Sequence, residues 1–235
     1  MIARGFVERG ATVYVSSRKA EACRTTAQEL SELGPGLAKE LPADLATREG
    51  IETLAGALRS EAAGLDVLVN NAGTAWLEPF DDLSEKGWDK VMDLNLKAPF
   101  FLTQALAPLL RAAASRERPA KVIHVASIDG ISVNPLETYP YQASKAGLIH
   151  LTRRMALRLI RDDIVVSAIA PGAFATDMNV HARDEEEKVA ARVPAGRVGR
   201  DDDMVGAAVY LASRAGDYVV GETLVVDGGV TWARG

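Results

Sequence analysis

Apolar residues gather along the chain in six short runs: "ATVYVS" (11–16), "LAKELPAD" (37–44), "LDVLVNNAG" (65–73), "AKVIHVAS" (120–127), "DIVVSAIAPG" (163–172) and "GETLVVDGG" (221–229). Between them lie longer stretches in which apolar side chains recur at helical spacing. Nearly unbroken Val, Ile and Leu strands separated by helices predict a parallel sheet covered on both faces, an α/β doubly wound fold. Ahead of the first run, Ile2, Phe6 and Val7 repeat at helical spacing and Gly10 reads as a helix stop. Met1 already falls in that periodic run, with no Ser, Thr, Asp or Asn before it to cap the helix. No interior stretch changes composition enough to act as a linker, so one domain over residues 1–235 is expected. Residues 174–200, polar and weakly periodic, form an insertion between the last two strands. That insertion is either a solvated excursion or a lid over a site.

Composition narrows the function. The chain is 48% hydrophobic, enough for a large core, and its net charge of -5 is spread without a basic block. Nucleic acid and anionic membrane surfaces are therefore disfavoured as partners, and small molecules remain. Cys23 is the single cysteine, which excludes an internal disulfide and fits a reducing cytoplasm. No apolar run approaches the ~20 residues that cross a bilayer, and Arg4, Glu8 and Arg9 make the first helix unlike a signal peptide.

In a doubly wound sheet, ligands bind beyond the C-terminal ends of the strands. Ser16–Arg18, Asp44, Asn70–Gly73, Ser127 and Pro171–Gly172 all fall on that edge. In "YPYQASKAG" Tyr141 has Lys145 four residues on, which puts a phenol and an ammonium on one helix face. A nearby ammonium favours the phenolate, so Lys145 is expected to lower the pKa of Tyr141 and tune it for acid and base work. Ser127 is placed to hold a carbonyl or hydroxyl oxygen against the Tyr141 proton, and Asn95, inside a long predicted helix, to position a water that passes protons to Lys145. His124, His150 and His181 lie in no hydrolase motif, G-x-S-x-G is absent, and no metal set is expected. His124, in mid-strand, reads as core or cofactor-flanking. An acid pair without nucleophile or metal suits moving a proton on a carbonyl oxygen while a dinucleotide moves a hydride.

With "NNAG" at 70–73, Asn95, Ser127, Tyr141, Lys145 and "PGAFATDM" at 171–178 in this order, the chain resembles the short-chain dehydrogenase/reductase family over nearly its whole length. The resemblance implies a Rossmann-type fold, a nicotinamide cofactor and a catalytic tetrad of Asn95, Ser127, Tyr141 and Lys145. It further implies that Asn71, Ala72 and Gly73 line the cofactor, that Asp44 and Leu45 contact the adenine, and that Tyr141 and Lys145 adjoin the nicotinamide ribose. Pro171, Gly172, Phe174 and Thr176 match the segment bracketing the nicotinamide end. At the end of the second family strand an acid selects NAD, whereas a 2′-phosphate needs a cation. Here Ser17 stands in the acid's place with Arg18 beside it, so NADP(H) is expected.

"SRKAEAC", "ASIDGIS…YPYQASKAG" and "VPAGRVGR" make the chain similar to 3-oxoacyl-(acyl-carrier-protein) reductases, including the branch associated with rhamnolipid synthesis. That similarity implies a 3-oxoacyl thioester substrate, with sugar, steroid and other small ketones as alternatives. It also implies a homotetramer, with contacts through the helices around 86–113 and 141–160 and through "VVDGGVTW".

The family's first strand and its T-G-x-x-x-G-x-G turn have no counterpart in the sequence. Two neighbouring strands should then carry unpaired N–H and C=O groups, and the cofactor pyrophosphate should lack its main anchor. Two readings follow: a reductase whose sequence as read lacks that part, or a non-catalytic remnant that keeps the tetrad.

Overall fold

The computed structural model describes residues 1–176 and 179–233. Helix α1 (Ile2–Val7) has no side-chain cap, and the chain leaves it through Gly10, whose φ of 85° is a left-handed turn that a Cβ would strain. Strand β1 (Thr12–Val15), helix α2 (Ala20–Ser31) and strand β2 (Leu37–Glu40) follow. Helix α3 (Arg48–Glu61) starts where the Thr47 hydroxyl accepts the Gly50 N–H, and it leads to β3 (Val67–Asn70). Helix α4 (Glu85–Met92) is capped in the same way by Ser84. A π-helical turn over Asp93–Lys97 then joins it to α5 (Ala98–Ala113), so the long helix expected there is interrupted at Asn95. The chain continues through β4 (Ala120–Val125), α6 (Tyr139–Leu159) and β5 (Ile164–Pro171). The insertion holds the short helices α7 (Val180–Asp184) and α8 (Glu186–Ala190), and α9 (Asp201–Ala212) and β6 (Thr223–Val226) complete the order.

All strand pairs are parallel. They form two sheets, β1–β2 and β3–β4–β5–β6, so β1 and β3 each have one strand partner among the described residues. Strands β4 and β5 are buried along nearly their whole length because helices cover both faces, which is why their sequences run apolar without alternation. On one face Val122 and Val166 pack with Leu54, Leu58, Leu102, Leu106, Leu110 and Met155 from α3, α5 and α6. On the other, Ile123 and Ile169 pack with Met204, Ala208 and Leu211 from α9, joined by Ile2 and Phe6 of α1. Leu106 and Leu110 are fully buried, and truncating either to Ala costs about 2–5 kcal/mol. No helix among the described residues is long and apolar enough to cross a membrane.

Candidate active site

The C-terminal end of β4 and the N-terminal half of α6 are held together by a short turn over Ile128–Gly130. A Cβ on Gly130 would lie 2.6 Å from the Lys145 carbonyl carbon, so only glycine lets this turn rest directly on α6. The contact brings Ser127, buried at the strand end, beside Tyr141 on the helix. The Ser127 hydroxyl accepts the Asp129 N–H at 3.1 Å, which fixes its position.

Lys145 is buried, and its Nζ donates to the Val125 carbonyl oxygen at 2.7 Å while standing 5.6 Å from the centroid of the Tyr141 ring. Burial lowers its pKa to about 8. The Tyr141 phenol is raised above its ordinary value, first by burial and further by the Asp129 carboxylate, while the Ser127 hydroxyl pulls the other way. This corrects the expectation that Lys145 lowers the phenol. The ammonium is tied to the strand carbonyl and lies against the ring, and desolvation of the phenolate dominates. A phenol shifted in this direction stays protonated at neutral pH.

Asn95 lies fully buried in the π-helical turn. Its Oδ1 accepts the Thr74 N–H at 2.8 Å, and its Nδ2 donates to the Thr74 carbonyl at 2.9 Å and to Ser144 Oγ at 3.1 Å. Both amide hydrogens are thus engaged within the protein. Ser144, also fully buried, passes the connection on by donating to the Tyr141 carbonyl at 2.8 Å. Thr74 and Ser144 were not singled out from the sequence. The available signal for Ser144 was its place directly before Lys145 and one helical turn after Tyr141. The π turn fits this clamp, since such bulges recur where a helix bends to serve a site.

His124 is fully buried, and its Nδ1 meets Thr152 Oγ1 at 2.9 Å. Thr152 Oγ1 donates to the Leu148 carbonyl at 2.7 Å, so it accepts from a protonated Nδ1. Burial, aided by the Lys145 charge, pushes His124 down to about 3, and the ring is a neutral core group. His150 and His181 are exposed.

Along the same edge, Ser17 and Arg18 lie exposed after β1. Ser17 Oγ accepts the Lys19 N–H at 3.1 Å, and Arg18 makes no ion pair among the described residues. Asp44 is exposed, its carboxylate accepting the Ala46 N–H at 3.1 Å, and Leu45 packs partly on the core. Asn71 and Ala72 are exposed after β3. The next residue, Gly73, is bare at a point where a Cβ would stand 3.4 Å from Asn95 Oδ1 and 3.6 Å from Lys145 Nζ.

Pro171 ends β5, Gly172 rests on Asp227, and Thr176 Oγ1 accepts the Asn179 N–H at 3.2 Å. The Phe174 ring is buried with the α9 core and packed under Gly199, where the chain turns inward to bridge Gly199. Asp177 and Met178 of "PGAFATDM" lie outside the described residues. The exposed polar edge, the free guanidinium beyond β1 and the bare Gly73 beside Lys145 fit an elongated phosphorylated dinucleotide.

Comparison with known proteins gives a consistent result. Residues 1–231 match the model of the family described as enoyl-(acyl carrier protein) reductase. The chain is 43% identical to the rhamnolipids biosynthesis 3-oxoacyl-[acyl-carrier-protein] reductase of Pseudomonas aeruginosa, covering 97% of this chain and 90% of that one. It is 34% identical to gluconate 5-dehydrogenase of Gluconobacter oxydans, covering 98% and 89%. The Pseudomonas aeruginosa RhlG/NADP active-site complex superposes with a TM-score of 0.93 at 42% identity, covering 98% of this chain and 90% of that one.

Proposed function

The chain belongs to the enoyl-(acyl carrier protein) reductase family of the short-chain dehydrogenases/reductases, and on that premise we propose that it reduces a ketone with NADPH, Tyr141 delivering the proton. The observation that carries this reading is the constellation of buried Ser127 and Lys145 beside the half-buried Tyr141, whose phenol is pushed above its ordinary value. When bound, NADPH supplies the hydride that reaches the carbonyl carbon. Ser127 holds the carbonyl oxygen, and Tyr141 transfers its proton to that oxygen as the alcohol forms. Lys145 offers its ammonium to the cofactor ribose and restores the Tyr141 proton. Asn95 keeps Thr74, and with it the Asn71–Gly73 edge, in register with α6. Arg18 takes the 2′-phosphate, Asp44 and Leu45 the adenine, and Pro171, Gly172 and Thr176 the nicotinamide end.

The first substrate class is a 3-oxoacyl thioester, as the name of the Pseudomonas relative suggests. A sugar-type ketone is the second reading, supported by the gluconate 5-dehydrogenase relative. Assembly as a homotetramer is supported by Phe100 and Phe101 of α5, an edge-to-face pair about one-third exposed beside Leu96 of the π-helical turn and Leu151 of α6. Its test is the mass in solution by light scattering, and a monomer contradicts it. A cytoplasmic location is supported by the lone, buried, unpaired Cys23. The deciding assay follows NADPH oxidation with a panel of 3-oxoacyl thioesters, sugars and steroid ketones, repeated with NADH. Turnover with at least one ketone and a preference for NADPH is expected; no turnover with any ketone overturns the proposal.

A further inference from the structure

Two loops flank the reacting groups. Residues 74–84, "TAWLEPFDDLS", leave the Gly73–Asn95 contact, and residues 128–139, "IDGISVNPLETY", run from Ser127 to the start of α6. They are joined to one another: the Glu78 N–H donates to the Glu137 carbonyl at 3.4 Å, and the Phe80 N–H and the Tyr139 hydroxyl both donate to Glu137 Oε1, at 3.1 and 3.0 Å. The Phe80 and Tyr139 rings meet edge to face at 5.7 Å. Together the loops form one rim beside Ser127 and Tyr141.

The chemistry of this rim is one-sided. Leu77, Phe80, Val133 and Leu136 are all more than half exposed, an unusual density of large apolar side chains for a solvent-facing loop pair. The charged residues of the two loops are Glu78, Asp81, Asp82, Asp129 and Glu137, without a lysine, arginine or histidine. Lys90 of α4 reaches only the Trp76 ring, 4.6 Å from its centroid. Glu78 is occupied by the N–H and hydroxyl of Ser84, whereas Asp81 and Asp82 face solvent. On these two loops a substrate carboxylate would meet acidic side chains and no cationic one, while an apolar chain would find four side chains to lie on.

We propose that this rim sets substrate choice: it takes an uncharged ketone with an extended apolar chain, lying across Leu77, Phe80, Val133 and Leu136, and rejects ketones that carry a carboxylate near the reacting carbon. The inference rests on the ketone-reductase reading and selects, within it, neutral acyl chains over sugar acids. Shape and apolar contact favour the first, and like-charge repulsion acts against the second.

The test is kcat/KM with NADPH for 3-oxo ethyl esters of rising chain length, each beside its free acid. The esters should gain about two- to fourfold per added methylene, and each acid should fall at least roughly tenfold below its ester. Phe80→Ala should flatten the chain-length series, and Asp81→Lys with Asp82→Lys should narrow the gap between ester and acid. A flat series, or acids turned over as well as esters, overturns the inference while leaving the reductase reading intact. Failure to reduce any ester of the series overturns the inference, and the reductase reading falls with it only if no ketone of the wider panel is turned over.

Discussion

Ser144→Ala probes the clamp that sets the site. The native hydroxyl accepts an Asn95 Nδ2 hydrogen at 3.1 Å and donates to the Tyr141 carbonyl at 2.8 Å, at a position with 0% exposure. Removing it leaves one amide hydrogen with no partner where water has no access. An orphaned buried donor costs about 1–3 kcal/mol. The Tyr141 carbonyl keeps its place in the helical ladder, so its share is smaller. For a chain of this size such a loss lowers Tm by roughly 2–12 °C. Because the bond spans the π turn and the Tyr141 turn, kcat should fall about tenfold to a hundredfold through misplacement of the phenol, with NADPH affinity unchanged.

Thermal unfolding, steady-state kinetics and cofactor titration read the three quantities. Ser144→Thr, which keeps the hydroxyl, should recover kcat more fully than stability. In a double-mutant cycle, Asn95→Ala and Ser144→Ala should be clearly non-additive. A merely structural serine would lower Tm and leave kcat alone. Additive effects within about 0.5 kcal/mol, or an unchanged kcat, would refute the clamp.

Two further outcomes are expected. Arg18→Ala should weaken NADPH about tenfold or more and leave NADH unchanged, as isothermal titration would read; equal losses contradict a 2′-phosphate contact. His124 titrates at about 3 in the fold against 6.5 ordinarily, so the unfolded chain binds the extra proton and stability falls as pH drops from 6.5 toward 3. Its contribution is a slope of up to about 1.4 kcal/mol per pH unit. Urea midpoints across that range should fall less steeply in His124→Asn, and identical profiles would contradict the assignment.

The sheet was legible because β4 and β5 are buried on both faces and their composition carries that directly. Strand β2 ends at Glu40, short of the apolar run, because "LPAD" belongs to the turn that carries Asp44 to α3. The Tyr141–Lys145 pair was legible from helical spacing alone. What spacing does not encode is where a long side chain spends its charge. Lys145 turns to the Val125 carbonyl, a partner from β4 set by packing, and the Tyr141 shift therefore has the opposite sign from the expected one. The interruption at Asn95 likewise depends on Thr74, 21 residues earlier in the chain, and no local propensity reports it. The burial of the Phe174 ring was not legible either, because Gly199, which opens the space for it, lies far along the chain beyond the insertion.

The central claim is that the Tyr141 phenol supplies the proton that completes ketone reduction. Its most direct test is kcat for NADPH-dependent reduction by Tyr141→Phe, with NADPH binding measured on the same preparation. Loss of the hydroxyl should lower kcat by about 10²–10⁴-fold at unchanged cofactor affinity. A variant that binds NADPH and reduces the same ketone at the native rate would contradict the account.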